Sequence, residues 1–382
     1  MSHEYMSLAV DPLTWFIPSM APVSPADEEW QEAAVGTYTT TAVEIAKGEK
    51  PPSPPVLALA DGMVYILRYL PEDMSWILEA RTACSGAKVF STRVPPFGEF
   101  GDNMEMIPLR RKGSVCCGKH GGLAVYDHEL DEWWTLRLEN RRVEGMHQVD
   151  GDTVCLRLSH HDFLPGGPQH SFALLSLSKR KLLMKRAIET SQDTPVLPVA
   201  MTSFLRGGAR HVMFVVSDVC WEVWNVDAAQ EGELVCRHRF HDSELKAMSS
   251  RGTEFYLTPK AVHVEEAGAV VVSDGRNKLC VFDTAACRFT MSIPVERSIS
   301  SLLCVSRNVM TVHHDGSICV WDVVNGRRES RISPAVAVKK AEFETAAKEG
   351  GGSVITVLRR VPYSGEGGED LLRTDAHIVR HA

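Results

Sequence analysis

Short apolar runs that end in Asp, Asn or Ser recur along this chain: Leu123-Ala124-Val125-Tyr126-Asp127, Phe172-Ala173-Leu174-Leu175-Ser176, Trp221-Glu222-Val223-Trp224-Asn225, Leu279-Cys280-Val281-Phe282-Asp283 and Ile318-Cys319-Val320-Trp321-Asp322. Each is followed by a polar turn and another run of alternating apolar character, the pattern of two hairpin-linked strands. Their last positions lie 49, 49, 58 and 39 residues apart, near the roughly 40 to 50 residues that one four-stranded unit needs. Stretches such as Ile318 to Trp321, read here as inner strands, are apolar on both faces. A strand of that kind must be covered on both sides, and stacked neighbouring units provide the cover.

The architecture this predicts is all-β: a single β-propeller of seven four-stranded blades over residues 56–382. Residues 1–49 form an N-terminal extension, and the Pro-rich segment 50–55 is a linker with a pre-set extended backbone. The units are expected at 56–81, with Trp76-Ile77-Leu78 as the outer strand, from Lys88-Val89-Phe90 to Leu138, at 143–188, 196–240, 249–293 and 298–332, and from Ala335 to the end. Asp-Gly pairs at 61–62, 274–275 and 315–316 suit two-residue hairpins, where glycine takes positive φ without steric cost. The last unit reads one strand short, and the lone run 35–45 is expected to supply that strand and close the ring, since an open sheet edge invites aggregation.

Composition adds exclusions. The chain has 382 residues, 44% of them hydrophobic and 24% charged, with a formal charge of −8, so it can bury a large core and lacks the overall positive charge that phosphate binding uses. No apolar run reaches the ~20 residues of a membrane span, and the first twenty residues have Glu4 and Asp11 but no Lys or Arg, unlike a secretory or mitochondrial leader. Ten cysteines are scattered without a CxxC pair. Cys155, Cys280, Cys304 and Cys319 fall inside strand-like runs as buried reduced thiols, which predicts the cytosol or nucleus. The vicinal Cys116-Cys117 would point to opposite faces of a strand.

At Val320-Trp321-Asp322, preceded by Asp315-Gly316, the chain resembles the WD-repeat family, and Val281-Phe282-Asp283, following Asp274-Gly275, and Trp224-Asn225 are relaxed versions of the same pattern. The resemblance implies a hydrogen-bond network joining an Asp of the second hairpin, a Trp of the third strand, a Ser or Thr, and a His from a Gly-His pair. Asp315 and Trp321 match two of those roles; the sequence has no Gly-His pair, so the complete network is expected to be absent. Gly121-Gly122, Tyr126-Asp127 and Trp133-Trp134 resemble a kelch blade.

Chemistry is sparse. His160-His161-Asp162, His313-His314, His238 and His241 read as loop or rim residues, because adjacent imidazoles cannot easily share one ion and no third ligand is placed. No GxSxG, HExxH, P-loop or GxGxxG occurs, and Ser364 to Asp370 is a Gly-rich loop whose acids would repel a phosphate. The first strands of the units read as beginning mostly with apolar or Ser residues, as at Ser300-Ser301, which leaves few ligands for an ion in a central channel. Basic residues cluster at Arg110-Arg111-Lys112, Arg141-Arg142, Lys179-Arg180-Lys181 and Arg327-Arg328; the pair of clusters at 179–181 and 327–328 occupies equivalent turns on one face. The expectation is therefore a non-catalytic scaffold without cofactor, metal or small-molecule substrate, whose partners are segments of other proteins in a complex. The alternatives are a propeller enzyme with a metal in the channel and an RNA-associated propeller.

Overall fold

The computed structural model describes residues 39–44, 56–60, 63–70, 72–82, 87–97, 104–110, 113–138, 141–160, 169–187, 199–216, 220–227, 232–239, 260–273, 278–296, 298–305, 307–313, 317–332, 343–348, 353–362 and 370–379. Among them there is no α-helix, only strands, turns and one 3-10 turn at Glu265–Ala267. The chain is all-β and propeller-like, built from repeated four-stranded antiparallel sheets.

In chain order the strands are β1 (Thr39–Glu44); β2 (Val56–Ala60), β3 (Met63–Leu70), β4 (Ser75–Thr82) and β5 (Lys88–Arg93); β6 (Glu105–Pro108), β7 (Val115–Lys119), β8 (Gly122–Asp127) and β9 (Glu132–Arg137); and β10 (Arg141–Gln148), β11 (Thr153–His160), β12 (Gln169–Ser176) and β13 (Lys181–Ala187). They continue with β14 (Val199–Arg206), β15 (Ala209–Val216), β16 (Cys220–Asn225) and β17 (Glu233–Arg239); β18 (Lys260–Val264), β19 (Ala269–Ser273), β20 (Lys278–Asp283) and β21 (Arg288–Pro294); β22 (Ile299–Val305), β23 (Asn308–His313), β24 (Ile318–Asp322) and β25 (Arg327–Ile332); and β26 (Phe343–Lys348), β27 (Ser353–Pro362) and β28 (Asp370–Val379). Strands β2–β5, β6–β9, β10–β13, β14–β17, β18–β21 and β22–β25 form six sheets in simple sequential order, numbered here first to sixth, and β26, β27, β28 and β1 form a seventh. In that last sheet β1 lies beside β28, with Thr39 opposite Ala376 and Glu44 opposite Leu371. The first strands touch in the order β2, β6, β10, β14, β18, β22, β26, and β26 also touches β2.

Burial explains why the strands lack a solvent face. Residues that alternate along one strand enter two different apolar clusters: Val115 and Cys117 pack with Tyr65 and Leu78 of the first sheet, whereas Cys116 packs with Val143, Leu156 and Leu158 of the third. Val212 and Phe214 meet Phe172 of the third sheet, and Met213 and Val215 meet Val270 and Phe282 of the fifth. Val271 and Val281 pack on Val309 and Trp321 of the sixth. Each interior sheet is thus roofed twice, once by each neighbour, as the doubly apolar runs require. Fourth strands carry the alternation instead: along β21 every second residue from Arg288 is exposed until Ile293 turns into the core.

Three sequence expectations need correction. Trp76-Ile77-Leu78 belongs to a third strand, paired with β3 on one side and β5 on the other. Lys88-Val89-Phe90 therefore ends the first sheet instead of opening the second, which begins at Glu105; its polar alternation is that of an outer strand. Ile318 to Trp321, read as an inner strand from its apolar pattern, is the third strand on which the WD-repeat resemblance places Trp321, since β24 sits between β23 and β25. Third and first strands are both covered on two faces, so hydrophobic pattern alone cannot separate them. The Asp-Gly pairs at 61–62, 274–275 and 315–316 lie outside the described residues.

Candidate functional site

The five strand-ending positions that reveal the repeat have one local job. Asp127 Oδ1 accepts from the Glu129 amide at 3.1 Å, Ser176 Oγ from the Lys179 amide at 3.1 Å and Asn225 Oδ1 from the Asp227 amide at 3.0 Å. Asp283 Oδ1 accepts from the Ala285 and Ala286 amides at 2.8 and 2.9 Å, and Asp322 Oδ1 from those of Val324 and Asn325 at 3.0 and 3.1 Å. Short side chains that bond amides two or three residues on stabilise turns, which is why Asp, Asn and Ser occupy these sites. Asn325 also donates to Asp322 Oδ2 at 2.6 Å, and that contact leads the set holding the Asp322 carboxyl below the usual carboxylate range. These turns close on a left-handed residue: Asp131, Arg180 and Cys287 at φ 51°, and Gly232 and Gly326 at φ 68°.

Trp321 begins a buried polar chain centred on Thr311. Its Nε1 donates to Thr311 Oγ1 at 2.9 Å, and Thr311 Oγ1 lies 3.0 Å from His313 Nε2. A Trp–Thr–His chain therefore exists without a Gly-His pair, because the imidazole comes from the end of β23, two residues beyond the threonine on the same strand face. Asp315, Gly316, Asp274 and Gly275 lie outside the described residues. Trp224 solves the same problem differently: Nε1 donates to Glu222 Oε2 at 2.8 Å while Arg237 Nε donates to Oε1 at 3.0 Å. Glu222 is fully buried, and burial raises its carboxyl pKa against those two donors. In the second sheet Trp133 Nε1 donates to Thr92 Oγ1 of the first sheet at 3.1 Å, and Tyr126 Oη to Asp131 at 2.8 Å.

The basic turns divide into two groups. Arg180 pairs with Glu132 of the second sheet and its guanidinium carbon lies 5.9 Å from the Trp134 ring centroid. Arg328 and Arg331 share Glu296, at 3.2 and 3.4 Å. Arg180 thus ties the third sheet to the second, and Arg328 and Arg331 hold the segment that leads from the fifth sheet to the sixth. Lys179 and Lys181 are exposed, and Arg327, 71% exposed in its side chain, is 3.9 Å from Asp322. Antiparallel topology brings the turn between first and second strands to the same end of a sheet as the turn between third and fourth. The side chains agree: Arg206, closing β14, donates to Ala285 O in the β20–β21 turn at 3.2 Å, and Arg210 bonds both Asp150 and Asp227. Leu130, Leu205 and Val324, each about 60% exposed, lie at this end with the exposed Lys179 and Lys181 and with Arg327.

A second charged group lies where first strands begin. Three of these strands start with Glu105, Arg141 and Lys260, while the other four start with Val56, Val199, Ile299 and Phe343, so apolar starts are in the majority and the charged ones come from the second, third and fifth sheets. Glu144 Oε1 accepts from Ser159 Oγ at 2.8 Å with Arg142 Nε at 3.5 Å, and Arg157 Nη2 donates to the Glu144 carbonyl. Glu105 is accessible to solvent, and the surrounding protein raises its carboxyl pKa by desolvation, with Arg157 the leading opposing charge and Lys260 contributing from the fifth sheet. His147 Nε2 lies 3.0 Å from Ser203 Oγ on the neighbouring β14, and burial lowers its pKa to about 4. Sequence reasoning missed this group because its members are scattered over 105–260 and assemble only when the sheets stack. Among the described residues no three His, Cys, Asp or Glu side chains converge to hold a metal. His161, Asp162, His241, His314, Arg111 and Lys112 lie outside the described residues.

No protein-family model matches the chain, and no curated protein matches it in sequence. Among solved structures it is similar to BamB from Moraxella catarrhalis, at a TM-score of 0.49 and 11% identity over 89% of this chain and 99% of that chain.

Proposed function

We propose that this protein is a non-catalytic, WD-repeat-like scaffold: a seven-bladed ring, closed by β1 on β28, that holds segments of other proteins as a subunit of a complex in the cytosol or nucleus. The cyclic order of first-strand contacts and the β1–β28 pairing support the ring; a shared terminal blade removes the edge that would otherwise stay open. The observation that carries the function is the turn end of the sheets, where exposed Lys179, Lys181 and Arg327 and exposed Leu130, Leu205 and Val324 are distributed over the second, third, fourth and sixth sheets. Apolar anchors set among cations suit an acidic peptide with hydrophobic side chains: burial of the anchors supplies affinity and charge supplies orientation. Rigid blades suit this task because their loops keep fixed spacing. The buried thiols Cys116, Cys117, Cys155 and Cys319 support a reducing compartment.

The test is purification of the full chain from its native cells with cross-linking and identification of companions. A companion cross-linked to Lys179 or Lys181, retained by Met74→Asp on the opposite turn face and lost by Lys179→Glu/Lys181→Glu/Arg327→Glu, is the expected result. Companions indifferent to the triple reversal, a nucleic acid whose binding falls steeply with salt, or a tightly held stoichiometric metal would overturn it.

A further inference from the structure

Two cysteines that sequence spacing leaves unrelated, 51 positions apart, meet at the boundary of the fourth and fifth sheets. Cys236 lies on the outer strand β17, and Cys287 closes the β20–β21 turn. Both pack at the margin of the cluster that joins these sheets, beside Phe289, and both keep partial access to solvent. Cys287 Sγ donates to the Thr284 carbonyl at 3.7 Å, and the two side chains, packed against the same cluster, are near enough for the Cys236 thiol to donate to the Cys287 sulfur once that proton is lost. The Cys287 backbone has φ 51°, the left-handed conformation that Gly326 adopts at the equivalent turn of the sixth sheet. A residue with a Cβ is disfavoured there, so the turn presents this thiol at a local conformational cost. Arg206 approaches from the β14–β15 hairpin and donates to Ala285 O at 3.2 Å, which brings a fixed positive charge to the turn.

We infer that Cys236 and Cys287 are a peroxide-responsive thiol pair whose oxidation joins the fourth and fifth sheets through a disulfide. Cys287 is the attacking sulfur. The hydrogen bond from Cys236, with help from Arg206, lowers its pKa to about 7 against the opposing effect of burial, while Cys236 is pushed up and keeps its proton. The Cys287 thiolate attacks one oxygen of hydrogen peroxide; an S–O bond forms, the O–O bond breaks, and hydroxide leaves to take up the proton that Cys287 released, giving water and a sulfenic acid. The Cys236 sulfur then attacks the sulfenic sulfur, the S–O bond breaks, and the hydroxyl departs with the Cys236 proton as a second water. Two thiols lose two electrons and peroxide gains them. The remaining thiols differ in setting: Cys116, Cys117, Cys155 and Cys319 are buried, and burial raises the pKa of each. The inference is independent of the scaffold proposal: Cys287 closes a turn at the same end of the sheets, but neither thiol is among the side chains proposed there to hold a partner.

The test is peroxide treatment of the reduced full-length protein, followed by alkylation and peptide mass spectrometry, with Cys280 and Cys304 as internal controls of similar exposure. A linked 236–287 peptide is expected, reversed by dithiothreitol. Before oxidation, Cys287 at pH 7 should alkylate about threefold faster than those controls; its larger thiolate fraction outweighs its lower intrinsic nucleophilicity. Cys236→Ser should leave a sulfenic acid at Cys287 that dimedone traps, and Cys287→Ser should leave Cys236 unmodified. Absence of the linked peptide, or reaction of Cys287 no faster than Cys280 and Cys304, overturns the inference, and both readings come from the unaltered chain, so neither depends on a variant folding.

Discussion

Thr311→Val probes the polar chain under Trp321 with almost no change of volume. Thr311 is fully buried, Trp321 is 5% exposed and His313 2% exposed. Removing Oγ1 takes the partner from Trp321 Nε1, 2.9 Å away, and one contact from His313 Nε2 at 3.0 Å. A buried donor that loses its acceptor costs about 1–3 kcal/mol. With the second lost contact at roughly 1 kcal/mol, and a small gain from the apolar methyl, the variant should be about 2–3 kcal/mol less stable. Thr311→Ser keeps the oxygen and loses one methyl, which costs about 1 kcal/mol. Urea unfolding followed by circular dichroism separates the two. Combining Thr311→Val with Trp321→Phe should recover about 1 kcal/mol relative to the sum of the single changes, since neither partner is then orphaned. If Thr311→Val unfolds within about 0.5 kcal/mol of the unaltered protein, or no worse than Thr311→Ser, the hydrogen-bond chain contributes nothing and apolar packing alone holds this blade.

Gly118 is a second probe: a Cβ built there meets Val143 Cγ1 at 2.8 Å and Val143 Cβ at 2.9 Å. Gly118→Ala should therefore push the second and third sheets apart and cost about 1–3 kcal/mol, read as a fall in melting temperature, and Val143→Ala in the same chain should restore part of it. His147 gives a pH signature. Its pKa of about 4 in the folded chain lies below the ordinary 6.5, so between those values the unfolded chain binds the extra proton. Stability from this group is full above pH 6.5 and declines as pH falls towards 4, by at most about 3 kcal/mol. Urea unfolding at pH 5.0 and 7.5 should show that decline in the unaltered protein and a smaller one in His147→Gln; equal declines would refute the assignment.

The repeat, the strand class and the need for cover on both faces were legible along the chain, because all three follow from local apolar patterning and from the short polar residue that caps each turn at 127, 176, 225, 283 and 322. The sequence also placed Cys116 and Cys117 on opposite faces, since alternation along a strand is a local rule. It did not distinguish third from first or outer strands, as the first sheet illustrates, because position within a sheet depends on which strands pair and not on how apolar each one is. Nor did it show that His313 completes the chain under Trp321, that Arg180 bonds the neighbouring sheet and Arg328 the segment before its own while Lys179 and Arg327 are exposed, or that Glu105 comes within electrostatic reach of Arg157 and Lys260. Cys236 and Cys287 are the plainest case: they meet because two sheets stack, and stacking is decided by the summed packing of side chains distant in the chain, which no local window of residues contains.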